Sequence, residues 1–347
     1  MKDFAFAIPG DLGLPTGGYA YDRRVLAECR RAGCNPIYLA LPDGFPFPLT
    51  EALARSESLL RALPAGRAVL VDGLAFGALS RELLRALRRP LVALIHHPLA
   101  LETGLSEVQH AQLVASEREA LAEAAAIIVT SPTTAGILAR DYSVDPEKLV
   151  VAVPGTEPSP RAKGTSEPPR ILAVGAVIPR KAYGVLVDAL DNLRSRDWTC
   201  HIVGATDRDP GESRALRAKI AARGLESRIV LTGAIPDAAL DGEYDAADIF
   251  VSSSLFEGYG MVLTEALARS LPIVATRAGA VPDTVPAEAS LLVAPGDARV
   301  LAEAMGRLLD EPQLRRRMAD AAWERARVLP RWKETAALVM ATMRGIG

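Results

Sequence analysis

Short apolar runs rich in β-branched residues recur along this chain, and each is followed by a segment with helical spacing. The runs read "AVLVDGL", "PLVALIHH", "AAIIVTS", "RILAVGAV", "TCHIVGA", "RIVLTGA", "ADIFVSSS", "PIVAT" and "SLLVA". Continuous apolar runs that end in small or polar residues are what parallel strands buried on both faces require. Alternation with helices then predicts a doubly wound α/β design. In such sheets ligands bind beyond the carboxyl ends of the strands, so the loops after these runs are where function is sought.

A break interrupts the rhythm. "VPGTEPSPRAKGTSEPPR", residues 153 to 170, is proline-rich and has no periodicity, which is linker composition. A length of 347 residues suits two domains, each able to bury its own core. The expected division is an N-terminal domain over 1–158, a second over 159–328, and a C-terminal segment over 329–347. That last segment, "LPRWKETAALVMATMRG", reads as a helix set apart by Pro330, and it is expected to pack back on the first domain.

Charge and composition exclude several classes. A formal net charge of -2 lacks the concentrated basic excess of a nucleic-acid binder. Cys29, Cys34 and Cys200 are too few and too scattered for a disulfide framework or a metal site, which fits a reducing compartment. No apolar run approaches the ~18 residues of a transmembrane helix, and "MKDFAFAIPGD" is too short for a signal core. The expectation is a cytoplasmic protein. Peripheral membrane contact is kept open for "SRELLRALRRP", where Leu83, Leu84 and Leu87 lie beside Arg81, Arg85, Arg88 and Arg89, the competing reading being a helix that covers the sheet.

The stretch "SSSLFEGYGMVLTEALARSLPIVAT", residues 252 to 276, concentrates the chemistry. It reads as a strand end, a loop with Gly258 and Gly260, and a helix that stops before Pro272. Glycines let backbone approach a ligand, and a helix start offers N–H groups to phosphate. Glu265 falls about one turn into the helix, where a carboxylate can accept hydrogen bonds from vicinal sugar hydroxyls. Glu257 precedes it in the loop.

"FEGYGMVLTEALARSLPIVAT" resembles the E-x7-E signature of glycosyltransferase family 4, and "ILAVGAVIPRKAYGVLVDAL" and "RAGAVPDTV" extend the likeness over roughly residues 168 to 300. The resemblance implies a GT-B fold, two facing Rossmann-like domains with a cleft between them, and a retaining, metal-independent transferase. No cofactor is implied, a nucleotide-diphosphate sugar being the co-substrate. It places the nucleotide ribose on Glu265 and donor-sugar hydroxyls on Glu257. The amides of Gly258, Tyr259, Gly260, Met261 and Val262 would line the sugar and diphosphate.

Arg180 and Lys181 look like the basic pair that neutralises the diphosphate, although Ala176 stands where many relatives carry arginine. In the first domain "PTGGYAYDRRVLAECRRAG" resembles the family's glycine loop, with Gly17 and Gly18 opening a helix towards donor phosphates or acceptor. "LVALIHHPL" ends in His96 and His97, at the place of the family's active-site histidine, and the two stay unseparated, with the alignment favouring His96. Thr276 and Asp283 are further candidates.

The expected partners are a nucleotide-sugar donor and an acceptor hydroxyl on a small molecule, glycan or lipid. Two rival readings share the architecture, a nucleotide-sugar 2-epimerase and a non-catalytic nucleotide-sugar binder. A NAD-dependent dehydrogenase is opposed by the absence of GxGxxG after a first strand. Asp207 and Asp209 spell a DxD, but in a Pro/Gly loop, and are read as surface rather than metal ligands.

Overall fold

The computed structural model describes residues 4–165 and 167–346, so the outer ends of the expected domains lie outside the described residues. The chain separates into two compact units, one running through Gly155 and taking in the segment from Pro330 onward, the other Thr156–Leu329.

The first unit holds a parallel sheet in the order β2-β1-β3-β4-β5-β6, with β1 at Ala5–Pro9, β2 at Ile37–Leu41, β3 at Val69–Asp72, β4 at Leu91–Ile95, β5 at Ala126–Val129 and β6 at Leu149–Val151. The runs "AVLVDGL", "PLVALIHH" and "AAIIVTS" become the fully buried β3, β4 and β5. Strands β1, β2 and β6 carry weaker signals. In β1, "AFAIP" has Ile8 as its one β-branched residue, and the edge strands β2 and β6 leave residues half-buried or exposed, so their faces are mixed. The helix Trp332–Gly345 packs on the helix Gly17–Arg31, its Trp332 ring edge-on to Tyr21 at 5.5 Å and its Thr335 hydroxyl donating to the Val153 carbonyl at 2.8 Å.

The second unit repeats the plan in the order β12-β11-β10-β7-β8-β9. Here β7 is Arg170–Val174, β8 Thr199–Val203, β9 Ile229–Gly233, β10 Ile249–Ser252, β11 Ile273–Thr276 and β12 Ser290–Val293, and all their pairings are parallel. Buried apolar layers cover both faces. Leu186, Val187, Leu190, Trp198 and Met305 fill one, and Phe250, Leu263, Leu267 and Val281 the other. The helix expected after "PRK" runs Tyr183–Asp191 and buries Tyr183, Leu186, Val187 and Leu190.

The strand order reverses between β1 and β3 in the first unit and between β7 and β10 in the second, because the chain returns to the sheet centre before filling the other edge. At such a switch point two neighbouring loops diverge to opposite faces and leave a crevice at the strands' carboxyl ends.

Candidate active site

Both switch points gather ionisable side chains. In the second unit the loop after β7 and the loop after β10 are stitched together by hydrogen bonds to main-chain carbonyls: Leu255 N–H donates to the Arg180 carbonyl at 2.8 Å, and the Ser253 hydroxyl to the Lys181 carbonyl at 2.8 Å. This sets Arg180 and Lys181 against Glu257. Lys181 Nζ lies 2.6 Å from Glu257 Oε1 and Arg180 Nη1 3.5 Å from Oε2, while Arg180 also donates to the Phe256 carbonyl at 2.9 Å.

Ser254 Oγ donates to Glu257 Oε1 at 2.6 Å. Burial alone would raise the Glu257 pKa, but the Lys181 and Arg180 charges and the hydrogen bonds from Lys181 and Ser254 outweigh it and hold the carboxyl below its usual range. One carboxylate between two cations leaves a net positive charge at the crevice. That is electrostatic provision for an anion.

Below this cluster the helix Met261–Ala268 starts from Gly260, whose φ of 90° is left-handed and strains any residue with a Cβ. Gly258 has no positive φ, so the turn itself needs only the second glycine of "GYG". Tyr259, Met261 and Val262 are half-buried around the helix start. The Tyr259 carbonyl accepts from Thr284 Oγ1 at 2.7 Å, and burial pushes the Tyr259 phenol up to about 12. Glu265 sits one turn in, half-buried, with its Oε2 accepting from the Tyr244 hydroxyl at 2.9 Å. Thr276 Oγ1 donates to the Ser254 carbonyl, so this candidate braces the loop that carries Glu257. Asp283 lies in the short helix Val281–Thr284 and is exposed.

The first unit's switch point holds a constellation that the sequence reading missed in part. Asp22 comes from the helix Gly17–Arg31, Asp72 from the end of β3, and His96 from the residue after β4. His96 Nε2 lies 3.4 Å from Asp22 Oδ1 and 3.2 Å from Asp72 Oδ2, and both carboxylates are buried. Burial opposes charge on the imidazole, but the neighbouring Asp22 and Asp72 carboxylates prevail and push its pKa up to about 10. Asp22 is pushed up to about 7 by burial, then by the Asp72 charge.

Gly18 is where the helix passes the ring: a Cβ there would stand 3.2 Å from His96 Cδ2. Gly17 opens that helix, and Thr16 caps it with an acceptor bond from Tyr19 N–H at 3.3 Å. His97 stands elsewhere, its Nε2 3.4 Å from Glu102 Oε2. The structure therefore separates the two histidines. The missed signal was Asp72, a carboxylate at the end of a buried strand run, the position where α/β sheets carry their ligands.

Other expectations resolve locally. Asp209 caps the helix Pro210–Ala222, accepting from Glu212 N–H at 2.9 Å, so that half of the DxD is occupied by helix termination. The apolar side of "SRELLRALRRP" faces inward: Leu84 and Leu87 are buried in the first unit's core, Leu83 packs on it, and Arg81 and Arg85 pair with Glu123 at 2.6 and 2.8 Å. The helix covers the sheet. No described helix is long and apolar enough to cross a membrane.

Two family models divide the chain along the same lines. Residues 12–155 match "Glycosyl transferase 4-like domain" and residues 168–311 match "Glycosyl transferases group 1". The HepE protein of Anabaena, solved in complex with UDP-glucose, superposes with a TM-score of 0.78 at 17% identity, covering 98% of this chain and 99% of its own. That likeness shows the fold, the two Rossmann-like units of the GT-B class.

Among sequence relatives, an MMP α-(1→4)-mannosyltransferase of Mycolicibacterium hassiacum is 29% identical over 86% of this chain and 75% of its own length. A 2-deoxystreptamine glucosyltransferase of Streptomyces kanamyceticus is 31% identical over 76% of this chain and 73% of its own. The chain belongs to glycosyltransferase family 4 and is a glycosyltransferase.

Proposed function

We propose that the enzyme transfers a hexose from a nucleotide-diphosphate sugar to an acceptor hydroxyl, with retention at the reacting carbon and without a metal ion or other cofactor. The Arg180–Glu257–Lys181 cluster at the second unit's switch point carries this reading. Two cations around one carboxylate leave charge for a diphosphate, and the positive charge a metal would supply is already built from side chains. The Glu265 carboxylate one turn into the adjacent helix suits a ribose diol, and the backbone from Gly258 to Val262 suits the sugar and phosphates. A protein of the same fold has been solved with UDP-glucose, and the named relatives transfer mannose and glucose, which supports a hexosyl nucleotide as donor.

In the proposed step the acceptor oxygen forms its bond to the anomeric carbon on the face from which the nucleoside diphosphate leaves. The departing phosphate oxygen takes the acceptor's proton. Lys181 and Arg180 stabilise the charge that grows on that oxygen. No carboxylate nucleophile is required, in contrast to the paired acids of retaining glycosidases. We assign the second unit to the nucleotide sugar and the first to the acceptor side, with His96, held by Asp22 and Asp72, as the active-site histidine rather than His97.

The test is a pair of variants assayed by donor turnover and by nucleotide-dependent melting shift. Glu265→Ala is expected to weaken donor binding, and Lys181→Ala to slow transfer by roughly a hundredfold, the scale of one lost transition-state donor. Unchanged turnover in both variants would sink the reading.

A further inference from the structure

Tyr244 belongs to the helix Asp237–Asp245, which leads into β10, and it is 1% exposed. Its ring is held by two neighbours. Phe250 of β10 stacks with it at 6.0 Å between centroids and 12° between planes, and the Arg269 guanidinium lies over the ring 4.4 Å from its centroid. Arg269 is itself fixed by an ion pair with Asp241. So held, the phenol has its hydroxyl 2.9 Å from Glu265 Oε2, with the Val262 carbonyl at 3.4 Å.

A buried tyrosine needs a partner for its O–H: Tyr19, Tyr21 and Tyr183 donate to the carbonyls of Pro9, Ala152 and Gly175, and Tyr142 to the Glu117 carboxylate. What sets Tyr244 apart is the acid it meets: Glu265, one turn into the helix that follows the glycine loop. Burial and the Glu265 charge keep the phenol well above its usual range, so it acts as donor and Oε2 as acceptor. A carboxylate has about four lone-pair directions. Filling one from a rigid ring fixes the plane of the group and hence where the others point.

We propose that Tyr244 is the positioning residue for Glu265, orienting its carboxylate so that the site selects a ribonucleotide over its 2′-deoxy counterpart. This rests on the assignment of Glu265 to the ribose. The chemistry is the directional fit of a preset acceptor to a diol, and a missing 2′-hydroxyl leaves that acceptor unmet.

The experiment measures dissociation constants for UDP, GDP and ADP and for their 2′-deoxy forms, with wild-type protein, Tyr244→Phe, Glu265→Gln and the double variant. Tyr244→Phe keeps the ring and its packing. For the nucleotide that binds best, it is expected to weaken ribonucleotide binding about tenfold and to lower the ribo-to-deoxy ratio by the same factor. The double variant is expected to bind no more weakly than Glu265→Gln alone.

A variant that loses thermal stability yet keeps the wild-type ratio would show a packing role only and overturn the proposal. Equal binding of ribo and deoxy forms by the wild type overturns it without any variant. If Glu265→Gln abolishes the preference and Tyr244→Phe does not, the ribose assignment stands and the role of Tyr244 falls. If no nucleoside diphosphate binds, both fall together.

Discussion

Glu257 accepts from Lys181 and Ser254 and faces Arg180, so it is the counter-ion of the cations proposed to hold the diphosphate. Glu257→Gln removes that charge from beside two largely buried cations, a change of the order of 3 kcal/mol for a buried pair broken on one side. A nucleoside diphosphate supplies a replacement anion. The variant is expected to melt lower than wild type without ligand and to show the larger shift when the diphosphate is added, a contrast that calorimetry measures directly. Equal shifts in both proteins would mean that the cations do not meet the diphosphate.

The sequence allowed Glu257, Arg180 and Lys181 to be singled out because each sits in a motif. It did not reveal that they touch, since 76 positions separate Lys181 from Glu257. Tyr244 and Asp22 were harder still to single out. Each lies in a helix among other polar residues, and only the packing shows which way it points.

At the scale of elements, the helix Glu107–Ala122 pins the loop that follows the histidines. Glu117, fully buried on this helix, accepts the Leu99 N–H at 3.0 Å. Burial pushes its pKa up to about 8, against the hydrogen bonds from Leu99 and Tyr142, which act in the lowering direction. The folded form therefore holds a proton that the unfolded chain gives up near pH 4.5. The stability contributed is complete below that value and is lost as pH rises towards about 8, by about 1.4 kcal/mol per pH unit for a one-proton difference.

Glutamine imitates the protonated acid. Glu117→Gln is expected to match wild type at pH 4.5 and to be the more stable protein at pH 8, as denaturant melts at the two pH values would show. A variant less stable at both values would contradict this account. The sequence marked Glu117 only as one acid of an ordinary helix, because burial of a single helix face is set by what lies against it.

For the whole molecule, the division at Gly155 and Pro330 makes the C-terminal helix part of the first unit's core. Trp332 is 6% exposed, and Ala336 and Val339 are fully or almost fully buried. Trp332→Ala is expected to cost about 3–5 kcal/mol of the first unit's stability. Hydrogen exchange should show faster opening of β1 and the helix Gly17–Arg31, with the strands β7 to β12 unaffected. Uniform loss of protection in both units would argue against that assignment.

What the sequence determined by itself was local and periodic: buried parallel strands, the helices between them, the linker composition, and the glutamates, cations and glycines of a known motif. These are readable because side-chain spacing of two or of 3.6 residues and the φ needs of glycine act within a few residues. Long-range packing set the sheet order with its two reversals, the separation of His96 from His97 by two buried aspartates, and the partners of Glu257 and Glu265. Those depend on contacts between segments tens of residues apart. Their energies come from burial and charge at short range in space, which spacing along the chain does not encode.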